Sequence, residues 1–173
     1  MKKTFTKLED ILSLELQSLY DGEKILKEEI NAILPYTESE ELKSILTKYA
    51  ESCDHKRLKL DRMFSYLMEE PSSKENTVIS KLLEEIQLRM KNSVSGKIRS
   101  LALISGFQLL NHYKITAYKT ALMYSLELEL DTVADLLHQI IEWERKTEKA
   151  LAELSKKEFC KGSDATHSSV CPQ

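Results

Sequence analysis

Polar side chains interrupt four otherwise apolar helical patterns, each near the middle of its pattern. The interrupting residues are Glu23, Lys56, Gln108, Asn111, His112 and Glu144. Carboxylates are the hard ligands that iron and manganese take in proteins, and histidine imidazoles often accompany them. An ionised carboxylate is also rarely buried unless a cation pairs with it. The pattern therefore predicts either a metal site or an internal set of ion pairs.

Five helices are predicted to position these residues. Apolar residues recur at spacings of three and four over the segments 6–34, 37–70, 72–90, 97–128 and 131–157. That spacing is typical of amphipathic helices. Capping boxes are predicted at Thr6 and Glu9, at Thr37 and Glu40, and at Ser72 and Glu75. The segment 72–90 is the shortest and has no polar interruption, so we expect it to connect the longer helices and to cover one side of them.

The composition is that of a soluble all-α domain. The chain has 173 residues, four Gly, three Pro and a net charge of -3, which leaves little turn-forming sequence and no basic face for nucleic acid. No apolar run approaches the roughly 20 residues of a membrane span. Lys7, Glu9 and Asp10 follow the N-terminal lysines directly, so no secretory signal is predicted. We therefore expect a cytoplasmic protein without nucleic-acid or membrane partners.

One domain is predicted over residues 1–158, followed by a disordered tail over residues 159–173. The tail has no helical periodicity and few apolar residues to bury. Cys53 lies inside a helical pattern and is interpreted as a small buried thiol. Cys160 and Cys171 lie in the predicted tail, where their pairing as a disulfide is left open.

The polar interruptions meet at one level if the four long helices pack antiparallel about a common core. Asp54, His55, Thr147 and Glu148 lie near the same level in sequence. Ferritin-like proteins hold two iron or manganese ions at such a level, with a Glu from each of two helices and a Glu-x-x-His from each of the other two. This sequence contains no Glu-x-x-His, and its nearest spacing, Asp135 to His138, is isolated. A reduced metal site and a metal-free layer both stay open on the residues alone.

The central helical segment resembles a known family signature. Its run QLLNHYKITAY, from Gln108 to Tyr118, is similar to the Q-x-x-E-H-Y-E-I-x-x-Y of the YciE/YciF-type ferritin-like family. The run LYDGEK around Glu23 is similar to the family's L-Y-D-A-E-K, and Glu144 and Glu148 stand where the family has E-x-x-x-D. The likeness extends over about residues 6–155. It implies a ferritin-like four-helix bundle with an additional shorter connecting helix, a homodimer, a link to stress responses and a bound metal.

The departures from the family pattern fall on its metal ligands. Asn111 and Lys114 stand where the family has two glutamates, and Trp143 leaves Glu144 without its carboxylate neighbour. In the second helix, the family's acidic and polar positions correspond to Ser52, Cys53 and Lys56. Carried over residue by residue, the family's metal site keeps only Glu23, Glu144 and Glu148.

The lost carboxylates and gained lysines suggest that ammonium groups have replaced metal ions. We hypothesise that Lys56, together with Lys114, pairs with Glu23 and Glu144 inside the bundle, because buried carboxylates need a compensating cation. The predicted polar layer consists of Lys56, Gln108, Asn111, His112 and Lys114. The hydroxyl groups of Tyr20, Tyr49, Tyr113 and Tyr118 are expected to reach this layer.

Two functions follow from these alternatives. The first is a non-catalytic, stress-associated bundle with a structural or interactive role and no cofactor. The second is an iron- or manganese-dependent oxidase or ferroxidase that uses Glu23, Glu144 and Glu148 with His55 or His112. Redox chemistry at iron needs open coordination positions held by several hard ligands, and Asn111, Lys114 and Trp143 disfavour it. A third arrangement, in which the charges point outward and share no layer, also stays open.

Overall fold

The structure, a computed structural model, describes residues 5–160 and contains only helices and connecting segments over that range. The helices are α1 (Leu8–Ile33), α2 (Glu40–Tyr66), α3 (Thr77–Lys91), α4 (Gly96–Glu127) and α5 (Asp131–Cys160), with a short 3-10 helix at Leu34–Tyr36. The predicted all-α fold is confirmed. Pro35 lies in the 3-10 helix that follows α1, as expected of a residue that lacks the backbone N–H a continuing helix needs.

The helices begin at different capping residues from those predicted. Asp10, and not Glu9, accepts the backbone N–H of Lys7 at 3.2 Å. Ser39 caps α2 by accepting the N–H of Leu42 at 3.3 Å. Asn76 caps α3 by accepting the N–H of Ile79 at 2.9 Å. Each stretch contains several residue types that can cap a helix, so spacing alone does not select among them.

The four long helices form a ring in which each helix has two neighbours. The neighbouring pairs are α1 with α2, α2 with α5, α5 with α4, and α4 with α1. The end of α1 packs with the start of α2, the start of α4 and the end of α5 in one apolar cluster, which we call the upper cluster. The opposite ends of the same helices form the lower cluster. All four neighbouring pairs are therefore antiparallel.

The short helix α3 covers the groove between α1 and α4. The segment before it is fixed to α1 because Asp21 accepts the Ser73 hydroxyl at 2.8 Å and the Asn76 N–H at 2.9 Å. Two glycines allow α3 to approach closely. A Cβ added at Gly22 would lie 2.5 Å from Ile79 Cδ1, and one at Gly106 would overlap Ile86 Cγ1. The predicted role of this helix, to connect and to cover, is confirmed.

The apolar spacing predicts a buried face of α4 through Leu101, Ile104, Ile115, Leu122 and Leu126, and the structure confirms this face only in part. Ile104 and Ile115 are buried as predicted, whereas Leu101 and Leu122 are only partly buried and Leu126 is 56% exposed. The buried side is instead lined by Leu103, Phe107, Asn111, Lys114, Tyr118 and Ala121. Apolar residues occur on every side of this helix, so their spacing did not identify the face that packs into the core.

The last helix continues to Cys160, slightly beyond the predicted end at residue 157 and past the predicted domain boundary at residue 158. The rest of the predicted tail, residues 161–173, lies outside the described residues. None of the described helices combines the length and the hydropathy of a membrane-spanning segment.

Candidate functional site

Four charged side chains meet in the middle of the bundle, one from each long helix. Glu23 comes from α1, Lys56 from α2, Lys114 from α4 and Glu144 from α5, and each is fully buried. We call this group the charged layer. Its two carboxylates and two ammonium groups balance, so the layer has no net charge when all four residues are ionised.

Lys114 is the central cation of the charged layer. Its Nζ lies 2.8 Å from Glu23 Oε1 and 2.8 Å from Glu144 Oε1. Lys56 contacts the same Glu144 oxygen directly, whereas its distance to Glu23 Oε2 is 3.9 Å. Both ammonium groups also lie 4.8 Å from the centre of the Tyr49 ring, where the negative face of the ring attracts a cation.

Three neutral side chains donate hydrogen bonds to the carboxylates. The hydroxyl of Tyr118 donates to Glu23 at 2.6 Å. Glu144 accepts from the hydroxyl of Tyr49 at 3.0 Å and from the amide of Asn111 at 2.7 Å. These donors and the two lysines together compensate the burial of both carboxylates, because a buried ion needs hydrogen bonds as well as an opposite charge.

The neighbouring charges change the pKa values inside the layer. Burial alone would raise the pKa of Glu144, but the ammonium groups of Lys114 and Lys56 lower it to about 2. Burial alone would lower the pKa of Lys114, but the carboxylates of Glu144 and Glu23 hold it well above its usual range. For Tyr49 and Tyr118, burial and the nearby carboxylates raise the pKa of the hydroxyl. Glu144 and Lys114 are therefore ionised, and Tyr49 and Tyr118 are neutral, throughout the physiological pH range.

The charged layer divides the core into two parts. Along α1, Leu19 belongs to the lower cluster and Leu26 to the upper one, with Glu23 between them. Along α2, Lys56 lies in the same way between Cys53 and Leu60. The layer is thus the only level at which the described core is charged, and it lies at the middle of the bundle.

Several residues predicted near this level lie elsewhere. Gln108 is half-buried, and His112 is exposed on the surface of α4. The ring of His112 lies 3.2 Å from Glu148, which is therefore paired at the surface and not inside the layer. Asp54 pairs with Lys27 at 2.5 Å, and His55 packs edge-on against Trp143 with their ring centroids 6.2 Å apart.

Lys114 is the residue that the helical pattern missed. The predicted stripe of α4 passed through Gln108 and His112, and only the family resemblance drew attention to Lys114. Its neighbours at a spacing of three and four, Asn111 and Tyr118, share its buried face. A polar triplet at this spacing is the signal that identifies the face. Tyr49 and Tyr118 reach the layer as predicted, whereas Tyr20 and Tyr113 are only partly buried.

Cys53 lies beside the charged layer, one helical turn from Lys56. Its thiol is buried and donates to the backbone carbonyl of Tyr49, with Sγ 3.4 Å from the oxygen. Burial and the carboxylate of Glu23 raise the pKa of this thiol far above its usual range. A protonated, enclosed thiol is neither a nucleophile nor a metal ligand under ordinary conditions.

The residues of the charged layer do not fit a pair of metal ions. Two hard divalent ions require about four carboxylates for charge balance, but the layer contains only Glu23 and Glu144. The positions facing both carboxylates are taken by the ammonium groups of Lys56 and Lys114. No group of three or more His, Cys, Asp or Glu side chains is arranged to hold a metal ion anywhere in residues 5–160.

The fold and the site together define an all-α, ferritin-like four-helix bundle with a charge-balanced layer of buried ion pairs. Residues 7–162 match the family model described as "Domain of unknown function (DUF892)", and the chain belongs to this family. It is 24% identical over 156 residues to Protein YciF of Escherichia coli (strain K12). The alignment covers 86% of this chain and 90% of that protein. The resemblance drawn from the central helix is confirmed.

Two solved structures share the fold. The crystal structure of the E. coli stress protein YciF matches with a TM-score of 0.86 and 23% identity, over 91% of this chain and 99% of that one. The structure of YcfI from Rhodopseudomonas palustris, titled "a putative structural protein", matches with a TM-score of 0.85 and 21% identity, over 88% of this chain and 97% of that one.

Proposed function

We propose that this chain is a non-catalytic, stress-associated member of its family, in which an internal layer of Lys and Glu replaces a di-metal centre. One observation carries the proposal. The ammonium group of Lys114 lies 2.8 Å from both buried carboxylates and supplies positive charge that a metal ion would otherwise have to bring. The two relatives are described as a stress protein and as "a putative structural protein", which supports a stress-associated, structural role.

Charge balance supports a layer without metal. The two lysines already neutralise Glu23 and Glu144, so a divalent ion entering the layer would have to expel at least one ammonium group or leave it unpaired. An unpaired buried charge costs several kcal/mol. Metal binding at this level therefore competes with these ion pairs.

The hydrogen bonds of the layer also oppose metal chemistry. Tyr118 donates to Glu23, and Tyr49 and Asn111 donate to Glu144. These donors use carboxylate lone pairs that a metal ion would need as ligands. An oxidase or ferroxidase site further requires open positions for oxygen, whereas these carboxylates are fully enclosed.

A homodimer is the assembly we propose, as the family resemblance implies. The outward side of α4 supports it, because Ile98, Leu109 and Met123 are at least half exposed on one face of that helix. Exposed apolar residues that line one face are a feature of association surfaces. The cytoplasmic location is a further prediction from the sequence.

Metal analysis tests the proposal. Protein purified without chelator is analysed for iron and manganese, then loaded with Fe(II) while oxygen uptake is followed. We expect no stoichiometric metal and no oxygen uptake above the buffer rate. The matched control is the double variant Asn111→Glu/Lys114→Glu, which restores two carboxylates of the family pattern and should gain bound iron.

One result would overturn the proposal. Stoichiometric iron in the unaltered protein, with oxygen turnover that Glu23→Gln and Glu144→Gln abolish, would favour the alternative oxidase or ferroxidase with Glu23, Glu144 and Glu148 as ligands. Circular dichroism of each variant separates loss of metal from loss of fold.

A further inference from the structure

The sign of the buried charge alternates around the ring of helices. Glu23 on α1 and Glu144 on α5 are negative, whereas Lys56 on α2 and Lys114 on α4 are positive. The ring runs α1, α2, α5, α4 and back to α1. Every pair of neighbouring helices therefore has opposite charges in the core, and the helices that face each other diagonally have like charges.

The bundle consists of two helical hairpins that are each electrically neutral at this level. The first hairpin is α1 with α2 and carries Glu23 and Lys56, and the second is α4 with α5 and carries Lys114 and Glu144. Each hairpin thus presents one negative and one positive side chain to the other. When the two hairpins associate, these charges distinguish the correct arrangement of the helices from a wrong one.

A second way of docking the hairpins would bury nearly the same apolar surface of the four long helices, although α3 would lose its groove between α1 and α4. If the α4–α5 hairpin were turned end over end, its inward faces would still point inward and its charges would stay at the middle level. Neighbouring helices would remain antiparallel, and the long connection between Leu67 and Ser95 could reach either end. The cluster side chains of the four long helices are rich in Leu and Ile at both ends and discriminate only weakly between the two arrangements.

The charges discriminate strongly. In the turned arrangement α1 would lie beside α5, so Glu23 would face Glu144, and Lys56 would face Lys114. Two buried pairs of like charges are far more costly than the opposite pairs observed. A shift of one helix along its neighbour by one turn is opposed in the same way, because it would move an ionised side chain into an apolar cluster.

We infer that the four charges of the layer act as a pairing code that fixes which helices are neighbours, in which orientation and at which register. The short distances in the layer all join neighbouring helices: Lys114 to Glu23 and to Glu144, both at 2.8 Å, and Lys56 to Glu144. The hydrogen bonds from Tyr118 to Glu23 and from Tyr49 to Glu144 join neighbouring helices too. The pairing code does not depend on whether the layer has replaced a metal site. The test of the code and the metal analysis can therefore fail independently.

Charge inversion tests the code in the full chain. One variant inverts the first hairpin (Glu23→Lys/Lys56→Glu), another inverts the second (Lys114→Glu/Glu144→Lys), and a third combines all four substitutions. Each half-inverted variant should lose cooperative thermal unfolding or unfold roughly 15 °C or more below the unaltered protein. The fully inverted variant restores alternation and should unfold at a higher temperature than either half-inverted variant, although it has twice as many substitutions.

A distance measurement reports the docking directly. Spin labels at Glu9 in α1 and Glu127 in α4 lie at the same end of the bundle in the native arrangement, and at opposite ends if the second hairpin is turned over. The native cysteines are replaced by Ser or Ala for this measurement. We expect the short distance in the unaltered and fully inverted chains and a long or broadly distributed one in any half-inverted chain that stays helical.

The inference is overturned if the fully inverted variant is no more stable than the half-inverted ones, or if a half-inverted variant keeps the native distance and stability. Milder variants keep the test decisive should no inverted chain fold. Glu23→Gln/Lys56→Met leaves one complete ion pair, whereas Glu23→Gln/Glu144→Gln leaves two unpaired lysines. Equal melting temperatures for these two variants would also refute the code.

Discussion

Lys114 and Lys56 differ in their positions within the charged layer. Lys114 lies 2.8 Å from both carboxylates, whereas Lys56 contacts Glu144 and is 3.9 Å from Glu23. Loss of Lys114 would therefore leave Glu23 with only a distant cation. Loss of Lys56 would leave both carboxylates in contact with the remaining ammonium group.

This difference predicts that the two lysines are unequal in their effects on stability. Lys56→Met and Lys114→Met should each lower the free energy of unfolding, by about 3–5 kcal/mol for a broken buried pair, with Lys114→Met the larger effect. Urea unfolding at pH 7 measures both. Lys27→Met is the control, because its pair with Asp54 is partly exposed and should cost less than about 1 kcal/mol. A neutral result for both buried lysines would show that the layer does not need its cations.

At the same scale, helical periodicity identified three of the four charges in the layer, and the family resemblance added Lys114. Glu23, Lys56 and Glu144 each interrupt a clear row of aliphatic residues, and such rows identify the buried face directly. Periodicity alone does not identify Lys114, because α4 is apolar on every side and the predicted row lies toward Gln108 and His112. The contact between His112 and Glu148 likewise depends on the rotation of α4 and α5, which the sequence does not specify.

At the scale of the element, α3 depends on close approach to its neighbours. Its buried side chains Ile79 and Ile86 lie over Gly22 and Gly106. At Gly106 the overlapping atom is Cγ1, near the backbone of α3, whereas at Gly22 it is the terminal Cδ1 of Ile79, which can move by rotation of the side chain. The two glycines therefore tolerate an added methyl group differently.

We predict that Gly106→Ala destabilises the protein by about 1–3 kcal/mol through overpacking, although alanine is the better helix former by about 1 kcal/mol. Gly22→Ala should cost clearly less. Thermal unfolding of both variants, and of Gly106→Ala in an Ile86→Ala background, checks the mechanism through a double-mutant cycle. If Gly106→Ala were stabilising in the unaltered background, α3 would not pack as closely as described.

Periodicity predicts the helices themselves better than it predicts where they begin and end. All five helices and their order were predicted, because apolar spacing over 15 to 32 residues is a strong signal. The starts of α1, α2 and α3 were misplaced by a few residues, because hydrogen bonding by Asp10, Ser39 and Asn76 depends on backbone geometry that the local sequence leaves undecided.

At the scale of the whole molecule, the charged layer predicts how stability depends on pH. Glu144 has a folded-state pKa of about 2 against an ordinary value of 4.5. Its ion pairs therefore contribute fully above about pH 4.5, and the contribution, roughly 3 kcal/mol, is lost as the pH falls toward 2. The pKa of Lys114 is raised above its ordinary value of 10.5. Its contribution to stability is therefore fully present below pH 10.5 and is lost only as the pH rises through the higher pKa of the folded state.

Urea unfolding between pH 2 and 11 should accordingly show a broad plateau of stability with losses at both extremes. Glu144→Gln is the informative comparison: it should be less stable than the unaltered protein at pH 7, and the difference should narrow as the pH falls below 4.5. A constant difference across this range would mean that Glu144 is not ionised in the folded protein.

The reaction of the buried Cys53 thiol with a reagent can report the opening of the bundle at its centre. Its thiol is sealed beside the layer and held in its protonated form, so a soluble thiol reagent can reach it only when the helices separate at their midpoint. With Cys160 and Cys171 replaced by serine, the rate of modification at Cys53 measures how often the centre of the molecule opens to solvent, an event that melting curves do not resolve.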